Sequence, residues 1–90
     1  MNDLDEEIKS FLVRKTAELL NIDEAEIDWE ADVDEFGYDS MTINKFCVEI
    51  NAKLNISVQP AVFLEYPTLS EFSSYLKTDF YAEVEEALLQ

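Results

Sequence analysis

Ser40, in the run FGYDSM at positions 36–41, carries a hydroxyl group that could take part in chemistry. A serine hydroxyl becomes a nucleophile for acyl transfer when a neighbouring base takes its proton, and histidine is the usual base. The chain contains no histidine, and Lys45, the nearest lysine by sequence, would lie more than one helical turn away. No local base can activate this hydroxyl, so the sequence indicates that another protein uses Ser40. We therefore predict that the chain is not an enzyme.

The acidic residues before Ser40 match a calcium-binding loop only in part. Asp32, Asp34 and Gly37 occupy positions one, three and six of such a loop. Position five is Phe36, and position twelve, where a bidentate glutamate is needed, is Ile43. We therefore predict no metal site.

The charge composition limits the classes of partner. With 21 acidic and 6 basic residues among 90, the formal net charge is -15, which repels nucleic acid and anionic membrane surfaces alike. Charge alone leaves two explanations open, a solubilising surface or electrostatic steering onto basic partners. A single cysteine, an acidic N-terminus and the lack of a long apolar run favour a cytoplasmic protein.

The first helix is predicted from an acidic first turn and from apolar residues that recur close to the 3.6-residue period. Asn2 or Asp3 is expected to cap its start, and Asn21 is expected to end it. The apolar stripe consists of Leu4, Ile8, Phe11, Leu12 and Leu19.

Residues 22–39 lose this period, and nine acidic residues alternate there with single apolar ones. A connection of that length is uncommon unless it has a function or short helical turns of its own. We expect an ordered loop pinned by its apolar residues, with Trp29 packed beneath it.

A second amphipathic helix follows the loop, with a stripe spaced i, i+3, i+4, i+7 and i+11. Its N-terminus is predicted at Asp39 or Ser40, which places Ser40 at the cap. Cys47 lies on the stripe, where a free cysteine usually behaves as a small apolar residue rather than a catalytic thiol. The stripe consists of Ile43, Phe46, Cys47, Ile50 and Leu54.

Two further helices complete the predicted fold. A short one runs from Pro60 to Tyr66, and Pro67 ends it. A capping box at residues 68–71 starts the last core helix, which ends near Thr78. The fold class is therefore all-α, a small four-helix bundle with three main helices, one short helix and a long first loop.

Residues 79–90 form an acidic amphipathic tail. Asp79 is a possible cap, and an apolar stripe follows at Phe80, Val84, Ala87 and Leu88. The segment is too short to be a stable helix alone. It must pack back on the bundle, run on as a linker, or dock onto another protein, and we favour a linker or docking segment.

The motif Gly37-Tyr38-Asp39-Ser40, followed by the apolar Met41, resembles the attachment motif of acyl carrier proteins, Gly-x-Asp-Ser and an apolar residue. The later string FLEYPT at positions 63–68 strengthens this resemblance, which extends over residues 4–76. The resemblance implies that another enzyme esterifies Ser40 with 4'-phosphopantetheine from coenzyme A, with Gly37 and Asp39 as motif residues.

The sequence is most similar to carrier domains of bacterial modular polyketide synthases, because fatty-acid carriers usually lack the FLEYPT-type string. Peptidyl carriers of nonribosomal synthetases more often have a second glycine, and often a histidine, before the serine. Tyr38 and Asp39 stand in those places here. This difference disfavours a peptidyl carrier, which stays open as an alternative.

The resemblance also implies partners, which are a phosphopantetheinyl transferase, an acyltransferase, a ketosynthase and other synthase domains. Met41, Lys45 and Val48 are offset from the core stripe, and the resemblance favours them as a recognition face. By spacing alone, Met41 could equally pack against the loop. We assign residues 1–78 to a monomeric carrier domain. The alternative is an acidic interaction module in which Ser40 is only a helix cap.

Overall fold

Four α-helices and three 3₁₀ helices make up the computed structural model, which describes residues 3–89. The α-helices are α1 (Leu4–Leu20), α2 (Ser40–Leu54), α3 (Leu69–Asp79) and α4 (Tyr81–Leu89). The 3₁₀ helices are η1 (Glu24–Glu26), η2 (Val33–Phe36) and η3 (Pro60–Leu64). The predicted all-α fold is confirmed. None of the helices in residues 3–89 has the length and apolar character needed to cross a lipid bilayer.

Helix α1 follows the predicted apolar stripe. Its buried side chains include four of the five predicted residues, while Leu19 packs against the core only in part. The helix ends at Asn21, whose left-handed backbone (φ 57°, ψ 49°) lets the N–H of the next residue, Ile22, donate to the Ala17 carbonyl at 3.2 Å. Asp3 is the N-cap residue, and Asn2 lies outside the described residues. Thr16, which the stripe does not include, is fully buried.

The loop between α1 and α2 is fixed at the start of α3. The N–H of Val33 donates to the Pro67 carbonyl at 2.9 Å, and the N–H of Ser70 donates to the Trp29 carbonyl at 3.1 Å. Asp32 and Thr68 form an isolated antiparallel bridge between these two contacts. With η1 and η2 inside it, the loop is ordered, as the sequence predicted.

The core is built around Phe46, which is fully buried on α2. Its ring contacts Tyr38, Phe63 and Phe72 at centroid distances of 5.5, 5.9 and 5.7 Å. These aromatic side chains come from the loop, η3 and α3, so one residue of α2 joins three separate segments.

The predicted short helix is the 3₁₀ helix η3, which Pro60 begins. Its C-terminal neighbour α3 is capped by Thr68, whose hydroxyl oxygen accepts from the Glu71 N–H at 3.0 Å. The same hydroxyl donates to the Glu71 carboxylate at 3.1 Å. Thr68 thus starts α3 at the predicted position.

The tail packs on the bundle as α4, and this helix rather than η3 is the fourth of the four main helices. Helix α4 contacts α1, α2 and α3, and it buries Val84 completely. Asp79 does not cap α4, because it is the last residue of α3, and Phe80 accepts the first bond of the new helix from the Val84 N–H. The predicted division between residues 78 and 79 therefore falls inside a helix. A linker or docking role for this segment stays a prediction.

Candidate functional site

Ser40 is the first residue of α2, and Asp39 is the N-cap. The prediction that Ser40 itself sits at the cap is wrong, because the Asp39 carboxylate reaches the Thr42 N–H at 2.9 Å. In return, the Asp39 N–H donates to the Thr42 hydroxyl at 2.8 Å and completes a capping box. Ser40 is exposed, and its hydroxyl makes no hydrogen bond to any of residues 3–89. The side chain is therefore available to a partner.

Asp39 remains an anion beside this serine. Hydrogen bonds from the Thr42 backbone N–H and hydroxyl hold the pKa of the Asp39 carboxyl below its ordinary value. A carboxylate at this position complements the positive end of the α2 dipole and satisfies one of the unpaired N–H groups of the first turn. Asp39 thus fixes where α2 begins, which in turn fixes where Ser40 lies.

Gly37 makes the turn that joins η2 to the capped end of α2. Its backbone has φ 125° and ψ −6°, a conformation that residues with a Cβ rarely adopt. Space is not the constraint, because a Cβ added here would lie 3.5 Å from Leu20 Cδ1, an ordinary van der Waals contact. The backbone conformation therefore explains the glycine three residues before Ser40.

Tyr38, between this turn and the cap, is a buried residue of the site that the sequence analysis did not single out. Only 3% of the residue is exposed, and its hydroxyl lies 2.9 Å from the Thr16 hydroxyl on α1. Burial raises the pKa of the Tyr38 hydroxyl far above its ordinary value, so the phenol stays neutral. No local sequence signal shows this contact, because the two residues are 22 positions apart.

Cys47 and the acidic side chains are further groups of the described residues that could take part in chemistry. Cys47 is buried, as its position on the stripe predicted, and burial raises the pKa of its thiol to about 11. Within residues 3–89, no group of three or more carboxylate or cysteine side chains is arranged to hold a metal ion. Modification of the exposed Ser40 hydroxyl by another protein stays a prediction.

The predicted recognition face is exposed on α2. Met41 is 81% exposed and Val48 is 62% exposed, and Lys45 is exposed between them. Met41 does not pack against the loop, which was the alternative that spacing left open. Single exposed apolar side chains are common on protein surfaces, so the binding of a partner by these residues stays a prediction.

A shallow apolar cleft of about 200 Å³ lies between η2, α2 and η3. Val33, Ile43 and Phe63 contribute to its lining, and Leu64, which is 87% exposed, stands at its edge. Leu64 could not be identified from the sequence, because an apolar run such as residues 62–64 does not reveal which member faces outward. Ile43 is three residues after Ser40, so the cleft begins about one helical turn from the serine.

Comparison with known proteins assigns the fold and this serine-bearing segment to a family. Residues 10–76 match the family model described as "Phosphopantetheine attachment site" (PP-binding). The match covers most of the 90-residue chain, which therefore belongs to the family of phosphopantetheine-binding carrier domains. Members of this family carry 4'-phosphopantetheine as a covalently attached group.

Individual relatives are polyketide synthases and carrier domains. The chain is 32% identical over 73 residues to polyketide synthase PksN of Bacillus subtilis (strain 168), a match that covers 81% of this chain and 1% of PksN. It is 31% identical over 83 residues to polyketide synthase PksM of the same organism, covering 82% of this chain and 2% of PksM. The chain thus corresponds to a very small part of either synthase.

Two solved structures are similar to this chain over most of its length. The NMR structure of the HMG-ACPI domain from the CurA module of Lyngbya majuscula has a TM-score of 0.78 and 30% sequence identity. That match covers 87% of this chain and 80% of the CurA domain. The crystal structure of a free-standing peptidyl carrier protein from Acinetobacter baumannii has a TM-score of 0.80 at 16% identity, covering 88% of this chain and 99% of that one. At this identity, the second similarity shows the fold alone.

Proposed function

We propose that this chain is an acyl carrier domain of a polyketide assembly line and that Ser40 is its attachment residue. The observation that carries the proposal is the exposed hydroxyl of Ser40 at the first position of α2, free of hydrogen bonds to residues 3–89, in a chain of the carrier family. The alternative in which Ser40 is only a helix cap loses its main support, because Asp39 caps the helix.

The surroundings of Ser40 fit a phosphate ester. The start of a helix presents N–H groups and the positive end of the helix dipole, and both favour an anionic phosphate. The adjacent Asp39 carboxylate opposes a second negative charge, but the Thr42 donors already engage it. Modification would then place the phosphate at the one end of α2 where the backbone favours it.

The attachment reaction needs a separate enzyme. The Ser40 oxygen would form the new bond to phosphorus, its proton would pass to a base of the transferase, and adenosine 3',5'-bisphosphate would leave coenzyme A. The chain has no histidine for this proton transfer, and Cys47 is buried with a raised pKa. Once attached, the group supplies a thiol that holds acyl intermediates as thioesters. This chain contributes the rigid position of Ser40.

Polyketide rather than peptidyl carriage is supported by relatives at 30% identity or above, among them PksN, PksM and the CurA domain. We propose that the monomeric domain is presented to an acyltransferase, a ketosynthase and other synthase domains. Met41 and Val48 would provide apolar contacts to these partners, and Lys45 would contribute a charge. A cytoplasmic location stays a prediction.

The test is the intact mass after incubation with coenzyme A and a broad-specificity phosphopantetheinyl transferase. We expect the mass to rise by one phosphopantetheine group. Ser40→Ala should prevent this rise, whereas Ser74→Ala, which removes another exposed helical serine, should not. A Ser40→Ala protein that still gains the group would refute the assignment. A wild-type protein that never gains it would refute the carrier function itself.

A further inference from the structure

Tyr38 lies directly before the cap of α2, and its ring alone would account for its burial. The ring packs edge-on against Phe46 at 5.5 Å and against Phe36 at 6.1 Å. Phenylalanine would make the same contacts without bringing a polar group into the core. The hydroxyl of Tyr38 therefore needs an explanation of its own, since a buried hydroxyl is unfavourable unless it is bonded.

That hydroxyl is bonded to Thr16, which belongs to a different helix. The oxygen atoms are 2.9 Å apart, Thr16 is fully buried and Tyr38 is 3% exposed. Thr16 is likewise an exception on its helix, where the other buried residues are apolar. Two polar residues have thus been placed opposite each other in an apolar core. Such a pair contributes little net stability over an apolar one, but it selects one alignment of the segments it joins.

The segment joined to α1 by this bond is the one that delivers Ser40. The Tyr38 N–H donates to the Val33 carbonyl at 3.3 Å, and the next residue, Asp39, forms the capping box. The capping box ties Asp39 only to α2 itself, and the Val33 contact ties Tyr38 only to the loop. Of the contacts described for residues 37–40, the bond to Thr16 is the hydrogen bond that relates this turn to another helix of the bundle.

We propose that the Tyr38–Thr16 hydrogen bond positions Ser40 for modification, with Tyr38 as a positioning residue. This inference rests on the proposed attachment of phosphopantetheine to Ser40. Tyr38 is buried, so it cannot contact a transferase directly. Its effect reaches Ser40 through the two intervening peptide bonds and the cap. Loss of the bond leaves the exposed side chains of the domain chemically the same but lets the first turn of α2 shift against α1.

The proposal predicts a change in turnover rather than in binding. The transferase would meet the same exposed surface in a Tyr38→Phe variant, so KM should stay near the wild-type value. The serine oxygen would be less well aligned, and kcat should fall about three- to tenfold, less than the roughly hundredfold loss that a 1 Å misplacement can cause.

The decisive variant is the double substitution Tyr38→Phe with Thr16→Val. Removing both hydroxyls leaves no unpaired polar group in the core, so the thermal midpoint should return close to that of the wild type. The kcat of modification should nevertheless stay reduced, because the alignment is still lost. Tyr75→Phe is the matched control, since Tyr75 is a half-buried core tyrosine with no hydrogen bond to residues 3–89. Tyr75→Phe should change neither the thermal midpoint nor the kcat of modification.

A purely structural role for the bond gives a different pattern. If the double variant is modified with wild-type kcat, or if every loss of kcat matches the unfolded fraction, the positioning role is wrong. If the double variant does not fold, Tyr38→Phe assayed well below its thermal midpoint provides the same comparison. Modification of the wild-type protein is measured in the same series, so a failure of the proposed function would be seen separately as wild type that gains no mass.

Discussion

The attachment of α4 to the bundle can be tested through Val84, the one fully buried side chain of that helix. Val84→Ala removes two methyl groups from the core. At about 0.8 kcal/mol for each buried carbon, plus a contribution from the cavity, the free energy of unfolding should fall by about 2 kcal/mol. For a domain of this size, 1 kcal/mol corresponds to about 4–8 °C in the thermal midpoint, so a fall of about 8–16 °C is expected.

The assay is thermal unfolding followed by far-ultraviolet circular dichroism. Glu83→Ala, at the exposed residue immediately before Val84, is the control and should shift the midpoint by no more than about 4 °C. A chain truncated after Asp79 should lose more stability than Val84→Ala, because it lacks the whole apolar stripe of α4. If Val84→Ala and the truncation both unfold at the wild-type temperature, α4 does not pack on the bundle in solution, and the linker or docking interpretation gains support.

Three other predictions follow from the site. Met41→Glu should leave the helix content unchanged but slow acyl transfer with at least one synthase partner, whereas Met41→Leu should not; loss of helix content in Met41→Glu would show that Met41 is part of the core. Gly37→Ala should lower the thermal midpoint by about 4–16 °C, because alanine at φ 125° is strained by about 1–2 kcal/mol; an unchanged midpoint would contradict the assigned turn. The third concerns pH. Burial raises the pKa of Cys47 from 9.0 to about 11, so the native state keeps a proton that the unfolded state loses. The free energy of unfolding should be highest below about pH 9 and should fall as pH rises towards about 11, and urea titrations at a series of pH values would measure it. A urea midpoint that stays constant through this range would argue against burial of the thiol.

Much of the bundle could be predicted because its helices carry their own periodic signal. The stripe of α1 and that of α2 are regular enough to identify most of the buried residues, and Asn21 and Thr68 are residue types with a strong preference for helix ends. The same signals placed Ser40 at the N-cap of α2, one position before its actual place as the first residue of that helix.

The errors arose where local preference does not decide between alternatives. Aspartate and serine are both good N-caps, and only the geometry of the Asp39 carboxylate relative to Thr42 separates them. A 3₁₀ helix has about three residues per turn, so neighbouring side chains point in different directions. Because Phe63 faces the core, Leu64 faces away from it.

Two further features depend on contacts between distant residues. The bond between Tyr38 and Thr16 spans 22 positions, and no local pattern pairs them. The amphipathic stripe of residues 80–88 is equally compatible with a free segment, and only the complementary surface of the other helices makes it pack. Tertiary packing therefore decided these features.

The fixation of the loop at the start of α3 also determines how the acidic surface can be used. All nine acidic residues between positions 22 and 39 are exposed, and the bonds from Val33 and to Trp29 hold the backbone that bears them. A flexible segment of the same composition would lose conformational entropy on every encounter. Here the backbone is ordered before any partner arrives, so a complementary basic surface would need to immobilise only side chains. The loop therefore presents a preset pattern of charge, whose spacing a complementary surface would have to match.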